Sequence, residues 1–146
     1  MKVSTRGRYA LRIMTELAKA KPDEYISLNS LSEKQSISQK YLEQIVPLLT
    51  RAGFIKSTRG NKGGYSLKKN PDKITVGDIL RATEGSLAPV PCVESKEENT
   101  CEKISYCTTY KIWFGLYEVI NNYLDGITLK QIIDNTSEEI TDDYCI

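Results

Sequence analysis

The chain has 146 residues with 20 Lys and Arg against 19 Asp and Glu, a length that suits one domain with an appendage and a modest core. No apolar run approaches the ~18 residues of a membrane span, and arginines interrupt the first helical segment, so we expect no membrane span, no signal peptide and a cytoplasmic protein. The sequence contains no histidine, no nucleotide-binding motif and no evident nucleophile–base pair, so we do not expect an enzyme.

The first predicted element is a helix that begins at Ser4 or Thr5 and ends before Pro22. Its apolar residues recur at helical spacing and form one stripe, which is typical of ordinary core packing. The stripe consists of Tyr9, Ala10, Ile13, Met14, Leu17 and Ala18.

Residues 28–51 predict two short helices joined by a tight turn. The first runs from Leu28 to Lys34, with Ser27 or Asn29 as its cap, and Ser38 caps the second, because hydroxyl and amide side chains accept bonds from the first backbone N–H groups of a helix. We expect Pro47 to kink the second helix. Its predicted core-facing residues are Tyr41, Leu42, Ile45, Leu48 and Leu49.

The first turns of this second helix carry the predicted contacts with DNA. In a helix-turn-helix, outward side chains at this position reach base edges in the major groove. The predicted contact residues here are Ser38, Gln39, Lys40, Tyr41, Glu43 and Gln44.

Residues 54–68 alternate as strands do and flank a glycine-rich tip, which predicts a β-hairpin wing. The glycines alone are explained by turn geometry, whereas the basic residues around them favour a DNA-contacting wing. A phosphate-binding nucleotide loop is disfavoured because no Gly-Lys-Ser/Thr opens a helix. The predicted wing contacts are Arg59, Gly60, Lys62, Gly63, Gly64 and Tyr65.

Charge changes sign along the chain. Residues 1–73 hold 15 Lys and Arg and 6 Asp and Glu, a net +9, while residues 74–146 hold 5 and 13, a net −8. A basic half attracts a polyanion, so nucleic acid is the predicted partner. Residues 75–78 resemble a capping box that opens a helix ended by Gly85. We therefore assign residues 1–85 to a winged helix-turn-helix domain.

The C-terminal half predicts a long helix from about Thr108 to Leu124 and a short helix capped by Thr128. The long helix either folds onto the winged domain of a monomer or, as we favour, pairs with its copy across a dimer axis. We assign residues 108–134 to this dimerisation unit and residues 135–146 to a polar tail. The apolar stripe of the long helix comprises Ile112, Trp113, Leu116, Val119, Ile120 and Tyr123.

Three cysteines, Cys92, Cys101 and Cys107, lie within residues 86–107, a predicted sensor loop, and Cys145 is next to last. Clustered cysteines in a cytoplasmic chain indicate metal binding or redox chemistry more than structural disulfides. Without histidine, thiolate ligands suit an iron–sulfur cluster. The alternative is three incidental loop thiols.

Five segments of the chain together form a recognisable set of motifs. They are Ser4-Thr5-Arg6-Gly7-Arg8-Tyr9, Tyr41-Leu42-Glu43-Gln44, Arg59-Gly60 with Gly63-Gly64-Tyr65, Val76-Gly77-Asp78-Ile79 and Ile127-Thr128-Leu129. With these motifs the chain resembles the IscR/CymR-type winged-helix regulators over essentially its whole length. The resemblance implies a homodimeric transcriptional regulator, usually a repressor, that binds operator DNA. It further implies that Cys92, Cys101 and Cys107 ligate a [2Fe–2S] cluster.

The chain departs from the iron–sulfur members in having Tyr110 where they often carry a histidine. The fourth ligand is therefore open among Glu94, Glu97, Glu98, Glu102, Tyr110, Cys145 and an outside ligand. The ending Asp142-Asp143-Tyr144-Cys145-Ile146 looks like the CymR-type ending and like peptides that dock into cysteine synthase. An alternative function is therefore a regulator of cysteine metabolism, controlled by such a partner enzyme or by thiol oxidation.

Overall fold

The computed structural model describes residues 2–94 and 101–142, with side chains up to Thr136. Its main elements are mostly helical, and none of the helices in these ranges is long and apolar enough to cross a membrane. In chain order they are α1 (Thr5–Lys19), α2 (Leu28–Gln35), α3 (Gln39–Arg51), β1 (Ile55–Thr58), β2 (Gly64–Leu67), α4 (Val76–Glu84), α5 (Tyr110–Asp125) and α6 (Leu129–Asp142).

Serine caps fix the starts of the first three helices. The hydroxyl of Ser4 accepts from the Gly7 N–H at 3.2 Å, and that of Ser38 accepts from the Tyr41 N–H at 3.3 Å. Ser27 caps α2 in the same way, so Ser27 and not Asn29 is the N-cap of the two that the sequence suggests. Between α2 and α3, Ser36 adopts a left-handed conformation with φ 53° and ends α2, which creates the tight turn.

The apolar faces of α1, α2 and α3 meet in one core, together with the hairpin and parts of α4 and α6. Tyr41 and Leu48 are only half-buried, whereas Val46 is buried although the sequence pattern did not single it out. The side chains buried most completely in this core are Ile13, Met14, Leu31, Leu42, Ile45, Leu49, Ile55, Ile74, Ile79 and Leu129.

The hairpin is a two-stranded antiparallel sheet in which Ile55 pairs with Leu67 and Thr58 with Gly64. A single bridge adds the segment before α2, because the backbones of Ile26 and Tyr65 exchange hydrogen bonds of 2.9 and 2.8 Å. The hairpin is therefore joined directly to the start of the helix-turn-helix.

The predicted capping box opens α4, since Thr75 and Asp78 each bond the other's backbone N–H at 3.1 Å. Thr128 caps α6, whose backbone remains helical to Asp142. The helix is therefore longer than the predicted short one and continues through residues 135–142 of the predicted polar tail. No glycine or proline interrupts residues 129–142, so nothing in this stretch stops the helix.

Candidate nucleic-acid interface and cysteine loop

The N-terminal part of α3 presents a polar surface. Ser38, Gln39, Lys40, Glu43 and Gln44 are all exposed, as the sequence predicts. In the described part of the chain, the side chains of Lys40, Glu43 and Gln44 take no hydrogen-bond or ion-pair partner, so their polar groups remain available to a ligand.

Tyr41 packs beneath this surface. It is half-buried, and its ring packs edge-on against the Tyr9 ring at 5.5 Å between centroids. The Arg12 guanidinium lies 5.5 Å from the centre of the same Tyr9 ring and donates to the Gln35 backbone carbonyl at 2.5 Å. This arrangement holds the end of α2 and the first turn of α3 on α1. Sequence reasoning treated Arg12 only as a charge and missed this bracing role.

Gln39 connects the two helices of the helix-turn-helix. Its side-chain amide donates to the Asn29 side chain at 2.6 Å, and Asn29 donates to Glu33 at 2.8 Å. Both helices thus share a polar network on their outer side, and Gln39 has one of its donors already engaged.

The tip of the hairpin, residues 59–63, is the second candidate contact surface and is called the wing tip below. Arg59, Gly60 and Lys62 are exposed there, and the Gly63 N–H closes a turn onto the Gly60 carbonyl at 2.9 Å. A side chain at Gly63 would place its Cβ 2.7 Å from the Thr58 carbonyl oxygen. That glycine is therefore required by backbone approach, whatever its role toward DNA.

The remaining two predicted wing residues lie below the tip. Gly64 has no room for a Cβ because the Ile26 backbone crosses it, and half-buried Tyr65 forms the backbone bridge to Ile26. A cavity of about 580 Å³ separates Asn61, Lys62 and Gly63 from Ser27 and Ser30 at the start of α2. The wing tip and the helix-turn-helix thus flank one cleft.

Helix α5 leaves much of its apolar surface uncovered. Ile112, Val119 and Tyr123 are 63%, 64% and 68% exposed, and Trp113 and Leu116 are 38% and 43% exposed. Ile120 of the predicted stripe lies on a different side. It packs with Leu124 against a small cluster of Val76, Leu80 and Leu87, so it anchors α5 to the winged domain. The exposed residues Ile112, Trp113, Leu116, Val119 and Tyr123 are called the α5 face below.

The three loop cysteines lie between α4 and α5. Cys92 falls in a 3-10 turn, Pro91–Val93, and Cys101 and Cys107 flank another, Ile104–Tyr106. The Cys107 sulfur lies 3.4 Å from the Thr109 hydroxyl. Hydrogen bonding by this hydroxyl, and then by the Thr109 N–H, lowers the pKa of the Cys107 thiol below its ordinary value.

This donor set fits an iron–sulfur cluster by chemistry, because it supplies soft thiols and one of them is biased toward the thiolate. Within residues 2–94 and 101–142, however, no three Cys, Asp or Glu side chains converge closely enough to hold a metal ion. Of the candidate fourth ligands, Glu94 and Glu102 are exposed, and the Tyr110 ring stacks on Phe114 at 5.9 Å. Glu97, Glu98 and Cys145 lie outside the described residues, as do Asp143, Tyr144 and Ile146 of the predicted docking tail.

A model of the Rrf2 family, described as iron-dependent transcriptional regulators, matches residues 3–135. The chain belongs to the Rrf2 family. The transcriptional regulator CymR of Bacillus subtilis strain 168 is 40% identical over 139 residues, which cover 95% of this chain and 94% of CymR. The transcriptional regulator IscR of Aliivibrio salmonicida strain LFI1238 is 36% identical over 143 residues, covering 97% of this chain and 83% of IscR.

Among solved structures, that of CymR (YrzC), the global cysteine regulator of B. subtilis, superimposes with a TM-score of 0.76 at 38% identity. The match covers 92% of this chain and 98% of CymR. The winged-helix fold and the family predicted from the sequence are thereby confirmed. The Rrf2-family chain is a DNA-binding transcriptional regulator, and its relatives named above are regulators as well.

Proposed function

We propose that the chain acts in the cytoplasm as a homodimer that binds a roughly palindromic operator and represses transcription. The observation that carries this proposal is that one winged helix-turn-helix unit exposes two polar surfaces: the N-terminal face of α3, and the basic wing tip, which is joined to the start of α2 through the Ile26–Tyr65 bridge. Lys40, Glu43 and Gln44 would read bases in the major groove, while Arg59 and Lys62 would approach phosphates or the adjacent minor groove.

Homodimerisation is supported by the α5 face. Five large apolar side chains in one patch are unusual on a monomer, since such patches generally mark an interaction surface. A helix-turn-helix protein commonly reads two half-sites through two-fold symmetry, and a symmetric pairing of α5 helices would bury the patch in both copies.

For the signal, we propose a [2Fe–2S] cluster held by Cys92, Cys101 and Cys107. The thiolates would supply three of the ligands, and a bound cluster would make the loop responsive to iron supply and oxidation. The support is the donor chemistry of the loop, the iron-dependent family description and the similarity to IscR. The loop leads directly into α5, so a change in it reaches the proposed dimer helix.

A second candidate is a regulator of sulfur metabolism in which the cysteines are reactive thiols or a partner enzyme binds the C-terminal tail. The 40% identity to CymR and the lowered pKa of Cys107 favour it. In this scheme two thiols give up two electrons and two protons to hydrogen peroxide, which becomes two waters while a disulfide forms. Cysteine synthase is the proposed partner enzyme.

Anaerobic purification followed by a visible spectrum and iron and sulfide analysis separates the two candidates. A cluster predicts brown protein with about two irons and two sulfides per protomer. Cys92→Ala, Cys101→Ala and Cys107→Ala should each lose the colour after reconstitution, and Cys145→Ala should retain it. Loss in all four variants would make Cys145 the fourth ligand. Colourless, iron-free wild-type protein after reconstitution would refute the cluster and leave the thiol or partner scheme.

A further inference from the structure

A second concave surface lies at the base of the hairpin, at the end opposite the wing tip. It encloses about 610 Å³ between the end of α1, the hairpin and α6, and it is called the basal cavity below. This volume falls within the range of small-molecule sites, which is roughly 300–1,000 Å³. Neither the exposed face of α3 nor the wing tip contributes to it.

One buried hydroxyl opens into the basal cavity. Ser66 on β2 is only 6% exposed, and its side chain takes no hydrogen-bond partner within the described structure. No fully enclosed side-chain polar atom of the described residues is left unpaired, so the Ser66 oxygen keeps some accessible surface, and Ser66 is one of the residues that line the cavity. Buried hydroxyls are almost always hydrogen-bonded, and an occupant of the cavity would satisfy this one.

The strand register places a cation beside that hydroxyl. Lys56 pairs with Ser66 across the hairpin, so both side chains point to the same face of the sheet, and both line the cavity. Lys56 forms an ion pair of 2.9 Å with Asp23, and hydrogen bonding to that carboxylate raises the pKa of Lys56. Lys56 therefore stays protonated at neutral pH, with much of its charge already balanced.

Three of the other four lysines around the cavity have no such balance. Five lysines and two aspartates line it, which makes the site cationic. Lys21 and Lys68 have no carboxylate within ion-pair distance in the described chain, and Lys69 lies over the Phe54 ring at 5.3 Å. Lys130 is paired with Asp134 at 2.6 Å. Three ammonium groups, of Lys21, Lys68 and Lys69, thus remain for an anion.

The inner wall of the cavity is apolar. Leu17 and Ala18 contribute from α1 and Ile133 from α6. A bare inorganic ion would leave this wall in contact with water, whereas the carbon part of an organic ligand would cover it. The combination of an apolar wall, a buried hydroxyl and a cationic rim suits a small amphipathic anion.

We propose that the basal cavity binds a small organic anion as an effector. Its carboxylate or phosphate groups contact Lys21, Lys68 and Lys69 and accept a hydrogen bond from Ser66, and its carbon part rests on the apolar wall. Ser66 lies on a strand of the hairpin that also carries the wing tip. An occupant that fixes the base of the hairpin therefore biases the orientation of Arg59, and this last step rests on the proposed function.

The binding step is tested on the full chain by recording ¹H–¹⁵N spectra during titration at constant ionic strength. Citrate serves as the carboxylate probe and glucose 6-phosphate as the phosphate probe. Saturable shifts centred on Ser66, Leu67 and Lys68 with either probe support the site and identify the anionic group it prefers. With both probes, non-saturating shifts spread over surface lysines such as Lys19 and Lys73 would overturn it.

Two variants and a control make this test specific. Ser66→Ala removes the hydroxyl without adding volume and should weaken the saturable binding about tenfold, because a hydrogen bond to a charged group is lost. Lys68→Gln should weaken it by a similar factor. Lys73→Gln removes the same charge outside the cavity and should leave binding unchanged. Equal weakening by Lys68→Gln and Lys73→Gln would show general charge attraction and refute the site.

DNA binding is then measured with and without the better probe. An effector should change operator affinity of the wild type severalfold, and Ser66→Ala should abolish that change while keeping its own probe-free affinity. If the probe binds at Ser66 without affecting DNA, the effector role fails and the site stands. If no operator is bound at all, the proposed function fails, and the spectra still decide the site.

Discussion

Arg59→Ala is the most direct test of the wing tip. Arg59 is exposed, and in the described structure no carboxylate lies within ion-pair distance of it, so its charge is available to phosphates. A basic side chain on a phosphate releases condensed counterions, with a slope of about 0.9 in log K against log salt for each contact in duplex DNA. One contact in each of two protomers therefore predicts that the slope of the dimer falls by about 1.8.

The assay is fluorescence anisotropy with a labelled operator at four or more salt concentrations. Lys73→Ala serves as the matched control, since it removes one exposed cation from the short turn before α4 and should preserve the slope. Arg59→Ala should bind more weakly at low salt and converge toward the wild type at high salt. An unchanged slope with unchanged affinity would refute the wing assignment. A lower affinity with an unchanged slope would indicate that Arg59 contacts bases or shapes the hairpin instead.

Three further predictions concern other parts of the molecule. Glu43→Ala should broaden the range of operator sequences that are bound more than it changes affinity, because a carboxylate accepts a hydrogen bond from a cytosine amino group and repels phosphate. Uniformly weaker binding to every operator in a panel would contradict this. Leu116→Glu should convert the dimer to a monomer in light scattering, because an unpaired charge buried in the interface costs several kcal/mol, and Glu118→Gln serves as the control. A wild-type protein that is monomeric at micromolar concentration would exclude the interface. Gly64→Ala should lower the unfolding free energy by about 1–3 kcal/mol in chemical denaturation, because its Cβ meets the Ile26 backbone, while Asn61→Ala should change it little.

Sequence signals that act over a few residues predicted most of the helix-turn-helix. Serine caps and helical apolar spacing predicted α1, α2 and α3, because these signals act within a few residues and need no distant partner. The roles of individual site residues were harder to predict. Tyr41 and Gly64 have structural roles, because Tyr41 packs against Tyr9 and Gly64 lies against the Ile26 backbone. The members of each pair are distant in sequence, so only the fold brings them together.

The basal cavity shows why charge in a sequence cannot be assigned to a partner without the fold. Lys68 and Lys69 follow the glycine-rich tip and on sequence alone look like part of a DNA-contacting wing. A strand advances about 3.4 Å per residue, so the four residues of β2 carry the chain roughly 14 Å from the tip before these lysines occur. There they face α1 and α6 together with Lys21 and Lys130. The basic half of the chain therefore contains two cationic surfaces of different shape: an exposed tip suited to a polyanion and a concave base suited to a small one.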